Sequence, residues 1–268
     1  MMYNEKMLET FSKEYAERCQ VTDKITAEMF DANGVLRGLR DKNGNGVVAG
    51  LTNISKIEAF RMENGQKILF TGDSITDCGR STSGNINFLG HGYPIFIASL
   101  LGANMPELEL TFINTGISGN RVCDLRDRWQ QDVINHKPDV VSILIGINDT
   151  WRRYDENDPT TALAYEQNMR GILKTVRAFG AKIILLEPFL LPTLERFQIF
   201  REDLDFKIDA ARKLAREFAD AYVPLDGLFA EETLTTEPAL LSFDSVHPTE
   251  LGNEKIARWW LERVRFEV

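Results

Sequence analysis

Ser74 lies in Gly72-Asp73-Ser74-Ile75-Thr76-Asp77, directly after the apolar run Lys67-Ile68-Leu69-Phe70, so its hydroxyl is expected where a buried strand gives way to a helix. A serine hydroxyl is too weakly acidic to attack a carbonyl unaided and needs a base that titrates near neutrality. The chain has three histidines, His91, His136 and His247. His247 is the best placed, because Asp244 precedes it by three residues in Asp244-Ser245-Val246-His247-Pro248. At that spacing in a turn the carboxylate accepts from one imidazole nitrogen while the other faces Ser74. Ser74, Asp244 and His247 are thus the expected nucleophile, orienting acid and general base of an acyl transfer.

Acyl transfer also needs donors for the oxyanion that forms. Two further segments offer them: Ile117-Ser118-Gly119-Asn120 through the backbone N–H of Gly119, and Gly146-Ile147-Asn148-Asp149 through the side-chain amide of Asn148. With the N–H of Ser74 they make an expected oxyanion hole, in which Gly119 lets the backbone come close. Asp73, Asp77 and Asp149 are expected to order these loops by accepting from backbone N–H groups. Structural readings stand beside the chemical ones. Gly-Asp-Ser also fits a capped helix start, Gly119 a positive φ, Asn148 a turn, and Asp244/His247 an Asx-turn ahead of a helix. Cys78 reads as a small packing residue, and His91 and His136 as surface or capping histidines. No His/Cys/Asp spacing matches a metal site, so no metal is expected.

These residues need a scaffold, and from Lys67 onward short β-rich runs alternate with longer amphipathic stretches, the pattern of βαβ units and a mainly parallel sheet. Five strands are predicted over 67–71, 108–114, 140–146, 182–187 and 221–225. Helices are predicted over 93–101, 122–135, 161–179, 200–219 and 248–264, the third ending on Gly180 and the last opening with Pro248 in its first turn. Ligands gather beyond the carboxyl ends of strands in such sheets. Ser74, Gly119, Asn148 and Asp244/His247 follow strands one, two, three and five, so all the chemistry is expected at one edge. The apolar stretch Phe189 to Leu194, after strand four, reads as a pocket rim or a subunit contact.

With 268 residues and 43% hydrophobic residues, the chain is long enough to bury a sizeable core. Its net charge of −9 comes without a basic cluster, which argues against a nucleic-acid partner or an anionic membrane surface. Met1 to Gln20 lacks the apolar region of a secretory signal, and no run approaches the ~18 apolar residues of a membrane span. The three cysteines, Cys19, Cys78 and Cys123, are widely spaced, so disulfides are not expected and a cytoplasmic location is. Residues 1–64 read as an N-terminal extension without a catalytic role. Met1 to Phe30 is charge-laced and helical, and Arg40 to Gly46 is a turn between short extended pieces. Residues 65–268 form the catalytic domain.

The four segments resemble the sequence blocks of the SGNH, or GDSL-type, hydrolases, over a match that runs from Lys67 to the C-terminus. More narrowly, Gly72 to Arg80, Asn114 to Val122, Arg128-Trp129-Gln130-Gln131-Asp132-Val133-Ile134, Pro138 to Trp151 and His247-Pro248 resemble intracellular acetylxylan esterases. The resemblance implies a three-layer α/β/α fold, flavodoxin-like in the strand order 2-1-3-4-5. It implies Ser74, Asp244 and His247 as the triad, Gly119 and Asn148 in the oxyanion hole, and no cofactor. It also implies removal of acetyl groups from xylo-oligosaccharides through an acyl-serine, by a homo-oligomer. Trp151 and Tyr154, just after Asn148, then offer a flat wall for a sugar ring, or ordinary loop packing. The Gly-x-Ser-x-Gly elbow of α/β-hydrolases is absent, since Thr76 takes the last glycine position. Rival readings are a short-chain lipid or acyl-thioester hydrolase with the same triad and, in another class, a non-catalytic carbohydrate-binding or scaffold module. Separately, Leu36 to Asp41 and Gly46 to Thr52 resemble the N-terminal segment of some bacterial citrate synthases, without that enzyme's catalytic residues.

Overall fold

The computed structural model describes residues 61–80 and 88–266. The citrate-synthase-like stretch, the helical reading of Met1 to Phe30 and the turn at Arg40 to Gly46 lie outside the described residues.

Five strands, β2 (Lys67–Gly72), β3 (Thr111–Asn114), β4 (Val140–Leu144), β5 (Lys182–Leu186) and β6 (Ala221–Val223), form one sheet in the order β3-β2-β4-β5-β6. All its pairs are parallel, with Phe70 opposite Asn114, Gly72 opposite Leu144, Leu144 opposite Leu186 and Leu186 opposite Val223. Numbered by themselves these strands run 2-1-3-4-5, the expected order. A two-stranded parallel pair joins β1 (Arg61–Met62) to β7 (Arg265–Phe266), and Met62, ahead of Lys67, is buried in the core.

The strands are nearly continuous apolar runs because both faces of the sheet are covered. On one face Ile68, Phe70, Leu144 and Ile184 pack under α2 (Tyr93–Asn104) and α10 (Glu250–Arg263), through Tyr93, Ile97, Ile256 and Trp260. Leu69, Val141, Ile143 and Ile183 point the other way, against Leu125 and Trp129 of α3 (Val122–Asp127) and α4 (Trp129–Asp132), Met169 and Ile172 of α6 (Ala162–Phe179), and Leu214 of α7 (Arg201–Phe218). Alternate residues of one strand therefore serve two separate cores, which makes the three layers. Burying a Trp260 indole also requires a partner for its N–H, and Ser142 Oγ accepts it at 3.1 Å.

Several elements differ from their sequence reading. The second strand begins at Thr111, with Leu108 in a 3₁₀ turn, and the fifth ends at Val223, with Leu225 opening a helix. The helix expected over 122–135 is broken into α3, α4 and a 3₁₀ turn at Ile134–His136, the first break falling at Arg128. The last helix starts at Glu250 rather than Pro248, because Thr249 caps it by accepting from Gly252 N–H. The stretch after Asn148 is not a loop but the rest of α5 (Ile147–Asp155), a polar helix whose first turn is buried.

Candidate active site

Asp73 caps α1 (Ser74–Asp77), its Oδ1 accepting from Ile75 N–H at 3.0 Å, and this fixes Ser74 as the first residue of the helix at the end of β2. The hydroxyl of Ser74 lies 2.9 Å from His247 Nε2, and the other ring nitrogen, Nδ1, lies 2.6 Å from Asp244 Oδ2. The three side chains thus form one hydrogen-bonded line, as their types and spacing led us to expect.

The other oxygen of Asp244 shapes the loop. Oδ1 accepts from the N–H of Val246 at 3.0 Å, from that of His247 at 2.7 Å and from Ser242 Oγ at 3.2 Å. One carboxylate therefore folds the turn, as the Asx-turn reading expects, and also bonds the ring. Burial raises the Asp244 carboxyl, but its bonds from the His247 ring and from the two N–H groups outweigh this and hold it well below the usual carboxylate range. In return the Asp244 hydrogen bond lifts the His247 imidazole above its ordinary value, with partial burial working against it. The loop is closed at its base by an antiparallel bridge between Ser242 and Pro248.

Gly119 stands at φ +83°, with open space where a Cβ would project. Its requirement is left-handed backbone, not the close approach expected from sequence. The close approach belongs to Gly116, whose Cβ would come within 2.4 Å of the Asp77 backbone N. Asp77 then reaches across to the same loop, its Oδ2 accepting from Ser118 N–H at 3.0 Å and Ser118 Oγ at 2.7 Å. The backbone N–H groups of Ser74 and Gly119 are matched with no acceptor among the described residues.

Asn148 is buried in the first turn of α5, where one amide hydrogen is engaged by the Asn120 carbonyl at 3.1 Å. An amide NH₂ carries two donors, and the second has no acceptor among the described residues. Asp149 next to it accepts from Val122 N–H at 3.0 Å, the loop-ordering role expected of it and of Asp73 and Asp77. Asp73 and Asp149 are both fully buried, and burial pushes each carboxyl up to about 7.

Trp151 follows Asn148 by three residues on the same helix face, and its ring centroid lies 6.2 Å from that of His247. Tyr154 is turned elsewhere: it stacks on Phe200 at 4.8 Å and donates its hydroxyl to the Ile199 carbonyl at 3.0 Å. Beside the histidine, on the α10 side, is a shallow pocket of about 290 Å³ bordered by Cys78, His91, Phe243, Asp244, His247 and Pro248 among others. His91 thus borders the site, a placement its glycine neighbours do not reveal. Phe189, Leu190 and Leu191 are core residues rather than a rim, and Leu191 N–H is held by the Ser245 carbonyl. Among the described residues no group of three His, Cys, Asp or Glu side chains is arranged to hold a metal ion.

This arrangement is found beside known relatives. The family model described as GDSL-like Lipase/Acylhydrolase family matches residues 70–255. An acetylxylan esterase from Geobacillus stearothermophilus is 39% identical over 215 residues, covering 78% of this chain and 98% of that protein. The crystal structure of Axe2, an acetylxylan esterase from that organism, matches with a TM-score of 0.70 and 38% identity, over 76% of this chain and 96% of that one. A form of Axe2 described as a catalytic mutant, with a serine replaced by alanine, matches with a TM-score of 0.71 at 38% identity, over 78% of this chain and 98% of that one.

Proposed function

We propose, from the premise that this chain belongs to the GDSL-like lipase/acylhydrolase family and is a carboxylic ester hydrolase, that it removes acetyl groups from acetylated xylo-oligosaccharides through an acyl-serine on Ser74. The observation that carries the reading is the unbroken line from Ser74 Oγ through His247, at 2.9 Å, to Asp244, at 2.6 Å. The relatives described as acetylxylan esterases supply the substrate class.

In this mechanism Ser74 Oγ attacks the acetyl carbonyl carbon as its proton passes to His247 Nε2. Asp244 keeps the ring in the tautomer with hydrogen on Nδ1 and stabilises the imidazolium. The oxyanion of the tetrahedral intermediate is held by the N–H groups of Ser74 and Gly119 and by the free amide hydrogen of Asn148. Collapse breaks the bond to the sugar oxygen, which leaves with the proton from His247. Water then attacks the acetyl-serine, gives a proton to the same base, and acetate departs as the proton returns to Ser74 Oγ. Trp151, beside His247, is the wall for the sugar ring, and Tyr154 supports that helix through Phe200.

Hydrolysis of acetylated xylose, xylo-oligosaccharide and glucose derivatives by the wild type and by Ser74→Ala tests the proposal. Release of acetate from the xylo-oligosaccharides by the wild type, and none above background by a folded Ser74→Ala, is expected. A Ser74→Ala protein that still turns over ends the acyl-serine reading. A series of longer p-nitrophenyl esters examines the substrate separately, because turnover that rises with chain length points instead to a short-chain lipid or thioester substrate.

A further inference from the structure

Arg128 opens a segment, Arg128 to Ile134, that takes no part in the reaction just described, yet the chain leaves helical geometry there, at φ −97° and ψ 4°. Its guanidinium is spread over three separate parts of the site. Nε donates to Asn120 Oδ1 at 2.7 Å, one terminal nitrogen to the Thr115 carbonyl at 2.6 Å, and the other to the Gly72 carbonyl at 3.1 Å. The remaining bond goes to Asp132 Oδ2 at 2.8 Å, which balances the charge of a side chain only 14% exposed.

Each acceptor sits next to a proposed oxyanion donor. Gly72 is two residues before Ser74, Thr115 begins the loop that leads to Gly119, and Asn120 follows Gly119 directly. Asn120 also presents its backbone carbonyl to Asn148 Nδ2. The three donors come from loops after three different strands, and they need a common reference if they are to converge on one oxygen atom. Arg128 supplies it, directly for two loops and through Asn120 for the third.

We propose that Arg128 is a positioning residue of the oxyanion hole, acting through Asn120 on Asn148. The inference rests on the reading of Ser74, Gly119 and Asn148 given above. A lysine cannot replace the fork, since a single ammonium cannot address three acceptors in fixed directions. Its loss should therefore be felt in the transition state, where oxyanion donors act, more than in substrate binding.

The test is kinetic, with p-nitrophenyl acetate and the full chain. Arg128→Lys is expected to lower kcat by roughly 10-fold or more with KM little changed, a split expected when an interaction acts mainly in the transition state. Asn120→Ala, which alters a partly exposed side chain and leaves the fold less at risk, should lower kcat in the same way, and Asn120→Asp, which still offers Arg128 an acceptor, should restore most of it. In an Asn148→Ala background Asn120→Ala should have little further effect, because both act through one amide. Wild-type kcat in Asn120→Ala, or a loss that multiplies fully with that of Asn148→Ala, overturns the relay even if Arg128→Lys does not fold. Ser74→Ala measured alongside separates the two ideas: an active Ser74→Ala ends the hydrolytic mechanism, whereas an inactive one with an unaffected Asn120→Ala ends only the relay.

Discussion

The carbonyl of Ser245 accepts from Leu191 N–H at 2.9 Å while Ser245 Oγ accepts from Leu194 N–H at 2.8 Å, so one buried residue ties the loop of Asp244 and His247 to the segment after β5. Ser245 does this at φ +74°, a left-handed conformation unusual for a residue with a Cβ. The loop that carries the base is thus braced from beneath by residues Phe189 to Leu194, which read as a rim or a subunit contact in the sequence because nothing in their apolar run says which way they face.

Ser245→Ala removes the acceptor of Leu194 N–H and leaves the backbone in its left-handed conformation. It is expected to cost about 1 kcal/mol, or about 2–4 °C in Tm, and to lower kcat several-fold as the histidine loosens. Ser245→Gly loses the same bond but relieves the backbone, so it should be the less destabilised of the two. Thermal unfolding and p-nitrophenyl acetate kinetics on both variants check this, and a Ser245→Gly less stable than Ser245→Ala contradicts it.

The acid limb of kcat/KM follows from the His247–Asp244 bond. Only neutral imidazole takes the Ser74 proton, so activity falls as pH drops through the His247 pKa, which Asp244 raises above the free value of ~6.5. The wild-type limb is therefore expected above 6.5, and Asp244→Asn should both move it downward and lower kcat by roughly 10⁴, as loss of the orienting carboxylate does in serine proteases. A pH series from 5 to 9 at constant ionic strength reads both effects. A limb that Asp244→Asn leaves in place would assign it to some other group.

Much of the scaffold is legible in the sequence because each central strand is covered on two faces and so appears as an apolar run. The carboxyl ends of those runs then locate Ser74, Gly119, Asn148 and the Asp244/His247 loop. What escapes the pattern depends on contacts far apart in the chain. Residues 122–135 carry an unbroken amphipathic period, and the break at Arg128 is evident only once Gly72, Thr115 and Asn120 are seen around it. Residues 147–155 do carry apolar side chains at helical spacing, Ile147, Trp151 and Tyr154, but over barely two turns, and nothing in that short pattern shows that the polar Asn148 to Thr150 are buried. Lys207, a residue the sequence does not single out within the helix expected over 200–219, is fully buried and paired with Asp203 one turn earlier.

Asp73 gives the last expectation, because a carboxyl beside the nucleophile is buried with its Oδ2 matched to no partner among the described residues. Burial raises it from 3.8 to about 7, against the Ile75 N–H bond and the His247 charge, and Asp149 is raised to about 7 in the same way. Between those values the unfolded chain has released the proton and the folded one has not, so folding stability declines as pH rises from 3.8 to about 7 and stays reduced above it. His247 acts in the same direction: its raised pKa contributes stability that is full below the unfolded value and is lost as pH climbs through the folded one. Asp244 works oppositely, but only at acid pH, its contribution being lost as pH falls through its depressed value. The fold should therefore be more resistant to urea at pH 5 than at pH 8. Asp73→Asn, which keeps an acceptor for Ile75 N–H and carries no charge, should narrow that gap by stabilising the protein at pH 8 more than at pH 5. Equal urea midpoints at the two pH values in the wild type, or an Asp73→Asn that is destabilised at pH 8, would show that the carboxyl beside Ser74 is ionised without penalty.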